Sequence, residues 1–289
     1  MAPIHYPGGQ DAALRVGRLA RPRSRGVQLP AGTSVTPEAA ALIAAAGITD
    51  PTQQAAINTH VIGLKADGLW VKMPVVYLNV GGSQNSCKYN LKDPRDLDAA
   101  FRKTYFGSNT FASTGVTSDG STGYANTHYS PAANGVNNSI SIGVYSRTNS
   151  AAANAPIGCG AWFASGNAVV LSPTGIAGPG NAYSEITGTG GINIAVADSL
   201  GLWTATRTNS TTLKLFQNAS ELSSNATASV NISGTTDEIY IHARNSGGAA
   251  NFSPLELAYE FIGIGLTDVD VANLSTHVQA FQTSLGRQV

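Results

Sequence analysis

From Val71 to Gly265 the chain alternates short apolar runs with turns rich in Gly, Asn and Ser, and no helical period comes between them. Period-two alternation is plain at Ile140, Ile142 and Val144, set against Ser139, Ser141 and Gly143. It returns at Leu213, Leu215 and Gln217, and at Ile239, Ile241 and Ala243. Turn signals fall at 107–123, 146–158, 172–191, 207–211 and 245–252. Short strands joined by turns pair antiparallel, because a parallel pair needs a crossover of about a dozen residues, usually a helix. The pattern predicts an antiparallel β-sandwich. A helical turn led by Asp93-Pro94 is expected within 90–101 as a decoration.

Helices flank this region. Thr36-Pro37-Glu38 places a hydroxyl cap before a proline at the first helical position. Ala39, Leu42, Ile43 and Ala46 follow at helical spacing, and Gly47 ends the run. Asp50-Pro51 repeats that start, with Gln53 placed to complete a capping box. Ile57, Val61 and Leu64 form its apolar stripe and Gly68 stops it. Near the C-terminus, Thr267 and Asp270 predict a capped helix whose face is Val271, Leu274, Val278, Phe281 and Leu285, ended by Gly286. Such a face packs on the sandwich, on the 36–69 pair, or on a partner helix. The expected organisation is an extended arm over 1–35, a helical segment over 36–70, and a sandwich with a closing helix over 71–289.

Composition narrows the function classes. Charged residues are 12% of the 289, about half of the roughly 25% usual for soluble domains. Hydrophobic residues are 42%, enough to bury a core. No run approaches the roughly 18 apolar residues of a membrane span. Net charge is zero, which argues against bulk attraction to nucleic acid. Residues 1–30 lack the apolar stretch of a secretory peptide. Cys87 and Cys159 are expected to stay free thiols in a reducing cytoplasm. Sequons such as those at Asn218, Asn225 and Asn231 are expected by chance in a chain so rich in Asn, Ser and Thr. A neutral, hydroxyl- and amide-rich surface suits extracellular or virion proteins.

That neutrality hides an asymmetry. Arg15, Arg18, Arg21, Arg23 and Arg25 face only Asp11 within residues 1–35, a net of +4, which leaves −4 on the rest. Prolines and glycines argue against a long regular element there. The segment reads as a flexible basic tail or as an arm that orders against an acidic partner, with nucleic-acid contact and a transit peptide as further readings.

Several segments resemble a known family. GLWTATRTNSTTLKLFQNASEL (201–222) resembles a strand-turn-strand element of concanavalin A-like, laminin G-like jelly rolls, with Ala219 where glycine is usual. EIYIHARNSGG (238–248) and YEFIGIGLTDVDVANLSTHVQAFQTSLGR (259–287) resemble the end of the same module, where a core strand runs into a final helix. LKADGLWVKMPVVYLNVGG (64–82), KYNLKDPRDLDAAF (88–101) and STGYANTHYSP (121–131) resemble segments of tailed-phage structural proteins carrying this jelly roll. The resemblance covers about residues 36–287. It implies a mainly β fold, a concanavalin A-like antiparallel jelly-roll sandwich with two N-terminal helices and a C-terminal helix. It also implies a non-enzymatic virion component, a fibre, tail or capsid-surface protein that is a homo-oligomer and anchors to other virion proteins through Arg15, Arg18, Arg21, Arg23 and Arg25.

Candidate chemistry is sparse. Glycoside hydrolases of this fold resemble one another in carrying Glu-x-Asp-x-Glu on one strand, and the nearest pattern here is Glu256-Leu-Ala-Tyr-Glu260, with Ala258 in place of the aspartate. In a regular strand Glu256 and Glu260 share a face about 13 Å apart at roughly 3.3 Å per residue, beyond the roughly 5–9.5 Å that glycoside hydrolysis uses. His5, His60, His128, His242 and His277 show no metal-ligand spacing. Thr187-Gly188-Thr189-Gly190-Gly191 lacks the Lys of a phosphate loop and reads as a hairpin. Asp237-Glu238 reads as a turn before a strand, with a calcium loop as the alternative. No metal or cofactor is implied. For a glycan, Tyr124, Asn126, His128 and Tyr129 cluster in one loop and read as a ligand site or as packing and subunit contact; Tyr183 and Trp203 are further candidates, although burial is the default for an aromatic beside apolar residues. The alternative to the structural virion role is therefore a carbohydrate-binding module for host-surface glycans.

Overall fold

A computed structural model describes residues 1–2, 34–134, 138–151, 154–160, 168–176, 178–188, 190–230 and 237–289. The five arginines expected to anchor the protein, Arg15, Arg18, Arg21, Arg23 and Arg25, lie outside the described residues, as do His5, Trp162, Thr189 and Asn231.

The helices are α1 (Pro37–Ala46), α2 (Pro51–Ala66), α3 (Gln84–Cys87) and α4 (Asp268–Ser284). The first strands are β1 (Val75–Tyr77), β2 (Thr104–Phe106), β3 (Asn109–Ala112), β4 (Gly115–Ser118), β5 (Tyr124–Asn126), β6 (Ile140–Ser146), β7 (Ile157–Cys159) and β8 (Val169–Ser172). They continue as β9 (Asn181–Ile186), β10 (Ile192–Ala195), β11 (Gly201–Asn209), β12 (Thr212–Gln217), β13 (Ser220–Asn225), β14 (Tyr240–Ile241), β15 (Arg244–Asn245), β16 (Ala249–Ala250) and β17 (Glu256–Gly263).

Two sheets face each other as an antiparallel jelly-roll sandwich. The eight-stranded sheet runs β13-β12-β11-β6-β17-β4-β3, with β1 also on β17. The nine-stranded sheet runs β10-β9-β8-β7-β14-β5-β2, with β15 also on β7 and β16 on β15. Among the described strands, β15 on β7 is the one parallel pair. Ile140, Ile142, Val144, Leu213 and Leu215 of the first sheet meet Ile157, Val169, Leu171, Ile186 and Ile241 of the second in a continuous core. The β12–β13 turn holds Asn218 at φ 55°, a left-handed backbone that asparagine tolerates, so Ala219 stands in the turn without needing to be glycine. The glycine-rich 187–191 segment joins antiparallel β9 and β10.

The other face of the eight-stranded sheet is not a solvent face. Tyr145, Leu202, Phe216, Tyr259 and Phe261 form a second core with Leu42, Ile57, Val61, Leu64, Leu274, Val278 and Phe281 from α1, α2 and α4. The small residues that alternate with the inner set are therefore buried: Ser141 and Thr204 are fully so. They are small because helices lie on them or rings cross them. A Cβ at Gly143 would come within 2.2 Å of the Phe261 ring.

Local signals explain the helix ends. Thr36 and Asp50 cap α1 and α2, each followed by proline, and Thr267 with Asp270 forms a complete capping box on α4. The box expected at Asp50 does not close: Gln53 Oε1 instead accepts from the Gly81 backbone 2.9 Å away, a longer-range partner. The 90–101 segment contains a single 3₁₀ turn, Asp98–Ala100, beginning later than Asp93-Pro94. No helix among the described residues is long and apolar enough to cross a membrane. Cys87 and Cys159 are free and buried.

A β-bulge in β17 determines where its acids point. Leu257 pairs with Ser146 and Tyr259 with Tyr145, so Ala258 is the extra residue. One extra residue reverses the face of everything beyond it. Glu256 and Glu260, expected on one face, thus lie on opposite faces. Asn79 Nδ2 donates to the Leu257 carbonyl at 2.8 Å, and Arg287 Nη2 to the Ala258 carbonyl at 3.0 Å, satisfying the backbone that the bulge leaves out of the ladder.

Candidate functional site

The clearest surface feature is a row of aromatic rings on the outer face of the nine-stranded sheet. On β2, Tyr105 packs toward the inter-sheet core, so Phe106 points out. On β5, Ala125 is in the core and Tyr124 and Asn126 point out. On β14, Ile241 is in the core and Tyr240 points out. Phe106 lies directly opposite Tyr124. Their rings stack at 4.9 Å and 16°, and Tyr124 stacks on Tyr240 at 4.8 Å and 28°. Phe252 meets Tyr124 edge-on at 6.2 Å.

A polar strip runs beside the row. Asn126 Nδ2 donates to Glu238 Oε2 at 2.5 Å, and Asn126 Oδ1 accepts from the His128 backbone at 2.8 Å. His128 Nε2 is 2.8 Å from Thr104 Oγ1 and 3.4 Å from Asp98, while Nδ1 is 3.6 Å from Glu238. His128 has φ 58°, the kink that turns the chain off β5 and brings its ring over the strip. Burial, then Tyr124 and the acids Glu238 and Asp237, holds the Tyr240 phenol above its ordinary value, so it stays protonated as a donor.

Of the four loop residues singled out from sequence, three converge here: Tyr124, Asn126 and His128. Tyr129 does not. It is 2% exposed, packs against Phe101 at 5.1 Å, and burial pushes its phenol up to about 12. Period two explains this: Tyr129 follows the inward-facing Thr127, whose hydroxyl bonds the Ile239 carbonyl, through the turned His128. Tyr183 and Trp203 are also buried, at 2% and 0%. Phe106, Thr104, Tyr240 and Asp98 escaped the sequence reading. They belong to segments distant in sequence, although Ile239-Tyr240-Ile241 already shows an outward aromatic between two inward isoleucines.

The outer face uses most of its aromatic area on itself. Tyr124 is stacked on both sides, so it offers its edge and hydroxyl. Phe106, at the open edge of the sheet and 43% exposed, keeps one free face. The arrangement offers one flat apolar surface, a line of ring edges and hydroxyls, and an amide and carboxylate beside them. It can hold an amphipathic, hydroxylated ligand by stacking and hydrogen bonding.

The two β17 acids are each engaged elsewhere. Arg147 Nη1 is 2.9 Å from both carboxylate oxygens of Glu256. Glu260 is fully buried, 3.1 Å from Lys103 Nζ, and accepts from Asn79 Nδ2 at 2.6 Å. Desolvation raises the Glu260 pKa, with Lys103 and Asn79 opposing it. Among the described residues no three His, Cys, Asp or Glu side chains converge to hold a metal ion.

No family model and no curated protein matches the sequence. Among solved structures, domain 4 of AbnA, a GH43 extracellular arabinanase from Geobacillus stearothermophilus in complex with arabinotriose, aligns over 71% of this chain and 98% of its own at 14% identity and TM-score 0.46. The botulinum neurotoxin serotype D binding domain aligns over 72% of this chain at 9% identity and TM-score 0.46. A structure of botulinum neurotoxin type C, whose cell entry depends on interaction with two ganglioside molecules, aligns over 74% of this chain at 10% identity and TM-score 0.48. This chain spans about half of each of those two neurotoxin chains, 52% and 53%.

Proposed function

We propose that this chain is a non-enzymatic binding and display module whose nine-stranded sheet presents a glycan site. The observation that supports this reading is the row Phe106, Tyr124 and Tyr240 with Asn126, Glu238 and Thr104 beside it. A sugar has an apolar face and a hydroxyl rim, and the free face of Phe106 and the polar strip complement both. Glycan-array binding, followed by titration of any hit, tests it. Wild type is expected to bind, and Phe106→Ala and Tyr124→Ala to lose most affinity while remaining folded. A wild-type protein that binds no glycan on a broad array overturns the reading.

The segment resemblance and the +4 charge of residues 1–35 favour a placement for this module. It is a virion component of a tailed phage, assembled in the host cytoplasm as a homo-oligomer. Its arginine-rich arm docks on acidic virion partners, and the sandwich faces outward toward host glycans. Deleting residues 1–30 is expected to abolish incorporation into particles. Unchanged incorporation counts against the anchor.

A further inference from the structure

The charges around the aromatic row set which sugars it can take. Ile239 points into the core, so Glu238 and Tyr240 share the outer face. Asn126 stands directly opposite Tyr240 and holds one oxygen of Glu238. That oxygen, Oε2, accepts from Asn126 Nδ2 at 2.5 Å and lies 3.6 Å from His128 Nδ1. The other, Oε1, has no hydrogen-bond partner among the described residues, and the Glu238 side chain is 35% exposed. One carboxylate oxygen is thus fixed by the protein and the other is open.

The charges facing the row are acidic. Glu238 and Asp237 are the ionised groups that raise the Tyr240 phenol. Asp98 lies 3.4 Å from His128 Nε2, across the imidazole from Glu238. Arg102 is paired with Asp98 at 2.9 Å and Asp96 at 3.2 Å. Among the described residues, no lysine or arginine pairs with Glu238. An open carboxylate oxygen makes a charge-assisted hydrogen bond to an ammonium group, and an aromatic face attracts the same cation. A sugar that carries a carboxylate meets like charge here.

The row is also long. Stacking steps of 4.9 and 4.8 Å put Phe106 and Tyr240 at opposite ends of it. A ligand that lies on the free face of Phe106 and reaches Glu238 therefore needs more than one sugar ring. Resting on the glycan reading above, we infer that the row selects oligosaccharides of amino sugars with free amines. One unit stacks on Phe106, and the ammonium of another pairs with Glu238 Oε1.

The probes are a glucosamine tetramer and its fully N-acetylated counterpart, which keeps the rings and loses the charges. Calorimetric titration of the full chain at pH 6, where sugar amines are protonated, reads both affinities. The glucosamine tetramer is expected to bind about tenfold or more tighter. Glu238→Gln is expected to bring the two within about twofold of each other, and Phe106→Ala to weaken both. Tetralysine, with similar charge but no sugar rings, is expected not to compete. Equal affinities in wild type, a preference that survives Glu238→Gln, or competition by tetralysine overturns the inference and leaves the glycan reading standing. Binding of neither tetramer also overturns it, and the glycan reading then falls only if a broad array is blank as well.

Discussion

Replacing Lys103 by methionine tests how the sandwich tolerates a carboxylate in its core. Glu260 and Lys103 are 0% and 1% exposed, and their charged atoms are 3.1 Å apart. Asn79 bridges them: its Nδ2 donates to Glu260 at 2.6 Å, and its Oδ1 accepts from Lys103 at 2.7 Å. Lys103 Nζ also lies 4.6 Å above the Tyr77 ring. Methionine fills similar volume but removes the counter-charge and orphans the Asn79 oxygen. Breaking one partner of a buried ion pair costs ~3–5 kcal/mol. At roughly 2–4 °C per kcal/mol for a chain of this size, the melting temperature falls by roughly 6–20 °C. The sign of the pH dependence follows from Glu260, whose pKa is already raised above the ordinary 4.5 and rises further without Lys103. A raised carboxylate contributes its stability fully below the unfolded pKa and loses it as pH rises through the folded value. The defect of Lys103→Met is therefore smallest near pH 4.5 and grows toward neutrality. Urea unfolding across that range measures it, and Lys103→Met with Glu260→Met is expected to return to within about 1 kcal/mol of wild type. A Lys103→Met cost below ~1 kcal/mol at pH 7, or a defect that shrinks as pH rises, refutes the reasoning.

Gly143→Ala drives a methyl to 2.2 Å from the Phe261 ring; a loss of ~1–3 kcal/mol by urea unfolding is expected, partly recovered by Phe261→Leu. Arg287→Leu removes the donors to the Leu78, Asn79 and Ala258 carbonyls; a loss of at least ~3 kcal/mol is expected, and a neutral effect sinks the account of the bulge. His60 and His242 are buried with pKa values lowered from 6.5 to about 3. Each contribution is intact above pH 6.5 and falls with acidification toward pH 3, at up to ~1.4 kcal/mol per pH unit for each histidine. Unfolding free energies at pH 7, 6 and 5 are expected to drop, with a shallower slope in His60→Phe.

The helices and much of the inter-sheet core were legible in the chain because their signals are local. Thr36-Pro37, Asp50-Pro51 and Thr267 with Asp270 carry their caps within one turn, and the stripe Val271, Leu274, Val278 and Phe281 needs only helical geometry to become one buried face. Ile140, Ile142 and Val144 likewise declare an inner face through strand geometry. The candidate site was half legible: Tyr124, Asn126 and His128 lie within five residues, and proximity in sequence brought them together. Phe106 and Tyr240 joined them through strand pairing, which no local pattern encodes.

By itself, then, the sequence determined element type, helix ends and the inward set of each alternating strand, since backbone geometry and neighbouring side chains decide these. Tertiary structure alone decided the rest. The helical layer made the face that carries the small residues at 141, 143 and 204 a second buried face. One extra residue at Ala258 sent Glu256 and Glu260 to opposite sides, because strand periodicity carries a single insertion through every residue beyond it. Pairing of β2, β5 and β14 aligned three aromatics from separate segments into one row, since cross-strand register is fixed by the whole sheet.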